Sequence, residues 1–356
     1  MAIITVDGVI EPKKLGVTSV HEHLLIDLSW AVKEPKDVLR KALFHQAVDI
    51  TKLSVLRRTP LAVMDNCILD DMMLIEDELL EFKRAGGSTI VELSCRGFHV
   101  DPVALRRISR AVGINIIAST GYYTAALHPS NMDEMTVEDL ESVLLADIET
   151  GIDGSGVRAG VIGEMGVSTE MHQNEKKALI AAAHVSKKTG IAVMVHISAP
   201  AHEGSFPLGL EAIEVLASEG AEIGKVAICH ADSPLDINVE YCIEILKKGV
   251  YLSFDNYNHE HYVAKKDREM YGGPSSSDLQ RVRVTKQLMD RGYVAKMLIG
   301  QDTCFKTMCH RYGGYGFDHI ITNIIPMMQD EGITDNQIKS VYIDNPRKWL
   351  DDQKVH

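Results

Sequence analysis

The sequence predicts a (β/α)8 barrel, a parallel sheet closed on itself and wrapped by helices. Three observations carry that prediction. Short apolar runs recur eight times between about residues 16 and 302. The runs are continuous rather than alternating, as in strands buried on both faces. Segments of helical length with capping residues separate them, in the order a parallel sheet requires. A doubly wound open sheet is the rival. Its first strand usually leads into a glycine-rich phosphate loop, whereas the first strand here leads into His21-Glu22-His23.

Residues 3–10 read as a hairpin turning at Asp7-Gly8. Residues 16–27 hold the first barrel strand. The stretch from about 30 to 71 is irregular, an insertion at the same strand end as the histidines, with helix expected over 37–58. The other strands fall at 88–94, 115–121, 160–166, 192–198, 225–231, 251–256 and 296–302. Thr136 with Asp139, and Thr334 with Gln337, have capping-box spacing. Asn174 is expected to cap a helix running to Gly190, and others stop at Gly151, Gly220, Gly249 and Gly292. The terminal helix is expected to break near Asn345-Pro346. No linker or low-complexity tract interrupts the chain, so residues 1–356 read as one domain.

Composition narrows the function. The net charge is −13 and no basic stripe stands out, which argues against nucleic acid. No apolar run approaches the roughly 20 residues that span a bilayer. The first residues lack the basic start and apolar core of a signal peptide. None of the six cysteines sits in a CxxC pair, and Cys95, Cys229 and Cys304 lie in or beside apolar runs, so they read as reduced packing residues. The expected compartment is the cytoplasm and the expected partner a small molecule.

Barrel enzymes carry their chemistry at the C-terminal ends of the strands. His21 and His23 end strand 1 and share a face, because strand side chains repeat every two residues. Strand 4 carries Glu164, strand 5 ends in His196, strand 6 in His230 and strand 8 in Asp302. Each has an ordinary alternative: a salt bridge for Glu164, backbone partners for His196 and His230, an N-cap for Asp302. Together the alternatives are weak, since each polar group buried without a partner costs about 1–3 kcal/mol. A mononuclear catalytic zinc takes about three protein ligands. Four histidines and two carboxylates suit two ions, with Glu164 as the bridge.

HEHL at strand 1, VH at strand 5, CH at strand 6, the strand 8 aspartate and STGYY at 119–123 resemble the phosphotriesterase family of the amidohydrolase superfamily. The resemblance is nearest to the bacterial phosphotriesterase homology proteins and the lactonase branch. It implies that His21 and His23 bind a buried ion with Asp302, that His196 and His230 bind a second, and that the chain is a homodimer. Most members bridge the ions with a carboxylated lysine; Glu164 stands at that position here and supplies the same single negative charge.

The expected cofactors are two divalent ions, zinc first, with Mn, Co or Fe suiting the same donors. A hydroxide bridging them attacks a lactone or ester carbonyl while Asp302 carries the proton. A phosphorylated sugar lactone and, alternatively, a phosphotriester or phosphodiester are the expected substrates; a barrel without catalysis is the remaining reading. Tyr123 matches a tyrosine that lies beside the metals in the lactonase branch. Substrate contacts are also expected from Arg96, just past strand 2, and from the loop 256–277, with His259, His261, Lys265, Lys266 and Arg268. His310 and Arg311 are weaker candidates.

Overall fold

The computed structural model describes residues 2–198 and 208–354. Eight parallel strands form one sheet: β1 (Val17–Glu22), β2 (Gly87–Glu92), β3 (Asn115–Thr120), β4 (Val161–Val167), β5 (Ala192–Ile197), β6 (Val226–Ile228), β7 (Tyr251–Phe254) and β8 (Met297–Ile299). They lie in chain order, each bonded to the next. Between β8 and β1 the ring is completed by loop hydrogen bonds. The amides of Gln301 and Asp302 donate to the His21 carbonyl at 3.2 and 2.9 Å, and the His23 amide donates to the Thr303 carbonyl at 3.3 Å. Gly300 makes this contact possible, because a Cβ there would lie 2.9 Å from the His21 amide nitrogen. The expected barrel is thus present and nearly closed.

The alternating pleat divides each strand between two cores. Val161, Met194, Ala227 and Leu298 fill the barrel interior. Ile162, Val193, Val195, Ile228 and Leu252 face outward, toward the helices. The layer over them includes α1 (Met72–Arg84), α2 (Pro102–Val112), α3 (Val137–Glu149), α4 (Gln173–Thr189), α5 (Leu208–Ser218), α6 (Val239–Lys247) and α7 (Asp278–Asp290). No helix among the described residues is long and apolar enough to cross a membrane.

Local signals were read with three exceptions. The Thr136–Asp139 and Thr334–Gln337 capping boxes form as expected. The helix before Gly190 is capped by His172 with Glu175, not by Asn174, whose side chain turns to Asp133. The terminal helix does not break at Asn345-Pro346. A π-turn over Ser340–Asp344 hands on to the helical Asn345–Leu350, and Pro346 sits in the first turn of that segment, where no amide is required. In the insertion, helix is limited to Val38–Phe44 and Leu53–Leu56, and Ile26–Asp27 pairs with Ile68–Leu69.

The end of the barrel opposite the histidines is sealed by the C-terminal segment. The Gln353 side chain accepts from the Ile4 amide at 2.7 Å and donates to the Gly160 carbonyl at 2.8 Å, tying the N-terminal hairpin to β4. Leaving a buried backbone group unpaired costs about 1–3 kcal/mol. Gln353→Leu is therefore expected to lower Tm by several degrees, on the order of 3–6 °C, without changing bound metal. Calorimetry with metal analysis checks this; an unchanged Tm would remove Gln353 from the account.

Candidate metal centre and active site

The six strand-end residues meet at one mouth of the barrel. Glu164 Oε1 lies 3.2 Å from His21 Nε2, 3.1 Å from His196 Nδ1 and 3.1 Å from His230 Nε2. Asp302 Oδ1 lies 3.1 Å from His23 Nε2 and 3.7 Å from His21 Nε2. These donors come from β1, β4 and β5 and from the segments just after β1, β6 and β8.

Strand irregularities aim them. In a regular β4, Glu164 would face the helices, since Val161 points inward and every second residue follows it. The register with β5 shifts between Ile162 and Met165, and Glu164 turns into the barrel while Met165 packs outward. In β6, Ala227 and Cys229 face inward, so His230 would face out. His230 instead takes φ +64° and Asp302 φ +51°, left-handed conformations that non-glycine residues seldom adopt. Such strain concentrates at functional sites. Gly166 lets the chain after β3 pass close by, since a Cβ there would lie 2.3 Å from the Tyr123 carbonyl carbon. This brings the Tyr123 hydroxyl within 3.0 Å of His196 Nε2.

A carboxylate missed in the sequence reading organises the imidazoles. Asp255, fully buried at the end of β7, accepts from Nδ1 of His21 at 3.0 Å and from Nδ1 of His230 at 3.0 Å. With Nδ1–H committed, Nε2 of each ring keeps its lone pair toward Glu164. His23 is held similarly. Ser94 gives its one proton to Glu92, so His23 Nδ1 donates to Ser94 Oγ at 2.9 Å. The signal for Asp255 was present, a carboxylate closing an apolar strand, but its direction was not.

Electrostatics keep the carboxylates charged. Burial pushes Glu164 upward, but His21 and His196 outweigh it and hold the group well below the usual carboxylate range. Burial likewise opposes ionisation of Asp302, and His23, His21 and His230 reverse it. The fit to metal ions rests on the donors. His21 Nε2 is buried without a hydrogen-bond partner among the described residues, although two carboxylates flank it. An acceptor lone pair facing acceptor oxygens is stable with a cation between them. His21, His23 and Asp302 form one candidate ligand cluster, and His21, Glu164, Cys229 and His230 another.

The mouth opens into a cavity of about 720 Å³. Tyr123, His259, His261 and Arg268 line it with the strand-end donors. His259 Nε2 donates to the Asp302 carbonyl at 2.9 Å. Three expectations are corrected. Arg96 does not line the cavity: Asp147 engages it at 2.5 and 3.1 Å and Asp153 at 2.6 Å, so its guanidinium is already neutralised. Lys265 and Lys266 lie on an exposed 3-10 turn off the cavity wall. His310 and Arg311 pair with Glu78, Asp71 and Asp77 on and beside α1, away from the mouth.

The sequence profile of the phosphotriesterase family matches residues 1–350. An N-acetyltaurine hydrolase from Danio rerio is 35% identical over 97% of this chain and 97% of its own. Among solved structures, a resiniferatoxin-binding protein from Rhodobacter sphaeroides superposes with a TM-score of 0.92 at 32% identity, covering 98% of this chain and 95% of its own. A phosphotriesterase homology protein from Escherichia coli, solved with phosphate in its active site, gives 0.75 at 25% identity, covering 96% and 100%.

Asp255→Asn keeps the shape but removes the charge that orients two imidazoles. It is expected to lower metal affinity about 10- to 100-fold, read by competition with a chromogenic chelator. Unchanged affinity would mean that Asp255 does not set the tautomers.

Proposed function

The chain belongs to the phosphotriesterase family of hydrolases, and on that premise we propose that it is a binuclear metal-dependent hydrolase of carboxylic acyl bonds. The bond favoured is the amide of a small anionic amine, as the name of the Danio rerio relative suggests. A lactone or ester, with the same carbonyl chemistry, is the second choice. The observation that carries the reading is the convergence of four imidazoles on two carboxylates, Glu164 and Asp302, at the barrel mouth.

His21, His23 and Asp302 would hold one ion, His196 and His230 the other, with Glu164 reaching both. Bound there, two divalent ions supply a water activated near neutral pH and a Lewis acid for the scissile carbonyl. Asp302 is ionised at the mouth, 17% exposed at its side chain, and so can receive the proton of the attacking water. It then delivers that proton to the leaving nitrogen. Tyr123 keeps its proton, because burial, Glu164 and Asp302 all raise its pKa. Its hydroxyl can therefore donate to the substrate carbonyl or hold His196 in place. Phe98, Phe305 and Leu61 on the wall limit water around the reacting bond.

A phosphorylated sugar lactone has less support than the sequence suggested. Arg96, Lys265 and Lys266 are absent from the cavity wall. Among the described lining residues Arg268 is the one Arg or Lys, enough for a sulfonate or carboxylate.

Metal-loaded protein is expected to hydrolyse N-acetyltaurine or a related N-acyl amine. His196→Ala and chelation should each lower kcat/KM by at least about 10²-fold, and Asp302→Asn should lower kcat by about 10²–10⁴-fold. A panel of N-acyl amines, lactones and p-nitrophenyl phosphodiesters separates the substrate classes; turnover confined to the phosphodiesters would overturn the acyl reading. Reconstitution should give equal activity with and without bicarbonate, because Glu164 needs no carboxylation. A strong bicarbonate requirement would point to a lysine bridge.

A further inference from the structure

The cavity has two unlike sides. On one, the segments after β1, β2 and β3 contribute an aromatic wall. Phe98 and Trp30 both pack edge-on against Tyr123, with ring centroids 4.7 and 6.1 Å away. Trp30 remains 40% exposed and lines the cavity. On the other side, the loop after β7 contributes Arg268. Its Nε is 3.4 Å from the Val263 carbonyl, and no carboxylate pairs with the guanidinium among the described residues. Tyr123, on which both rings pack, follows β3, and β3 and β7 stand four places apart in a ring of eight. The donor cluster lines the same cavity.

We infer that the substrate is an amphipathic N-acyl amine that spans the mouth. Its acyl group is larger than acetyl and lies on Trp30 and Phe98, and the anionic end of its amine part is bound by Arg268. The inference rests on the acyl-bond reading above and adds the substrate class and two specificity-determining residues. A cavity of about 720 Å³ is of the size that encloses drug-sized ligands, far more than an acetyl amide of a two-carbon amine fills. A guanidinium with no carboxylate partner among the described residues can offer two parallel hydrogen bonds to a sulfonate or carboxylate. The reaction balances as hydrolysis. The carbonyl–nitrogen bond breaks and a carbonyl–oxygen bond forms from water. The products are a carboxylate and an ammonium, the proton passing from the one to the other.

The test compares wild type, Arg268→Met, Arg268→Lys and Trp30→Ala, all metal-loaded. The substrates are N-acetyltaurine, N-phenylacetyltaurine and the neutral N-phenylacetylethanolamine. Wild type should prefer phenylacetyl to acetyl by about tenfold or more in kcat/KM, the worth of burying an aromatic ring. Trp30→Ala should erase most of that ratio. Arg268→Met should lower the ratio of anionic to neutral substrate on the order of 10²-fold, through KM more than kcat, and Arg268→Lys should recover part of it. Either ratio unchanged by its variant, or no phenylacetyl preference in wild type, would overturn the inference. Failure of the acyl-bond reading looks different, because no amide is then cleaved by wild type. In that event stopped-flow quenching of Trp30 by intact N-phenylacetyltaurine still decides. Quenching that Arg268→Met weakens supports the site, and no quenching ends it. The other tryptophan, Trp349, is fully buried in the core beside Lys225, so a change on adding ligand is assigned to Trp30.

Discussion

A carboxylate with 2% of its side chain exposed, ringed by three imidazoles at 3.1–3.2 Å, is the constraint around which this barrel is built. Taking Glu164 out of water is costly unless positive charge lies beside it, which a cation held among these donors would supply. The histidines around it are themselves buried and need partners on their far sides. Asp255 serves two of them and the Tyr123 hydroxyl the third, His196, while Ser94 serves His23 beside Asp302. The demand passes outward to Glu92 behind Ser94, and to Arg281, which is fully buried beside Asp232 at 3.1 Å. Each layer is stable because the next one compensates it.

The backbone accommodates this network at specific points. A register shift in β4 turns Glu164 inward, and left-handed φ values at His230 and Asp302 turn those side chains to the mouth. Gly300 brings β8 against the His21 backbone and closes the ring. Each departs from ideal strand geometry, and each lies within a residue or two of a candidate ligand. Rigid strand ends suit a site whose donors must meet within tenths of an ångström. The long loops, free of that demand, carry Trp30, Phe98 and Tyr123 after β1 to β3 and Arg268 after β7.

The cationic candidates show how little charge alone reveals about function. Arg96 has the position expected of a substrate-binding arginine, immediately past β2. Asp147 on α3 and Asp153 after it converge there from about fifty residues away. Lys265 and Lys266 share a loop with Arg268, yet the 3-10 turn presents them to water. Only Arg268, in the next short turn, faces the cavity.

Much of the architecture was legible along the chain because it rests on local periodicity. Eight apolar runs, capped helices between them and a polar donor at five strand ends suffice for a barrel and for the six residues that gather at its mouth. What pairs with what was decided by the tertiary structure. The role of Asp255, the burial of Arg96 and the inward turn of Glu164 depend on contacts between segments far apart in sequence and on backbone shifts of a single residue. Burial makes a polar residue seek a partner, but only the closed sheet determines which one is within reach.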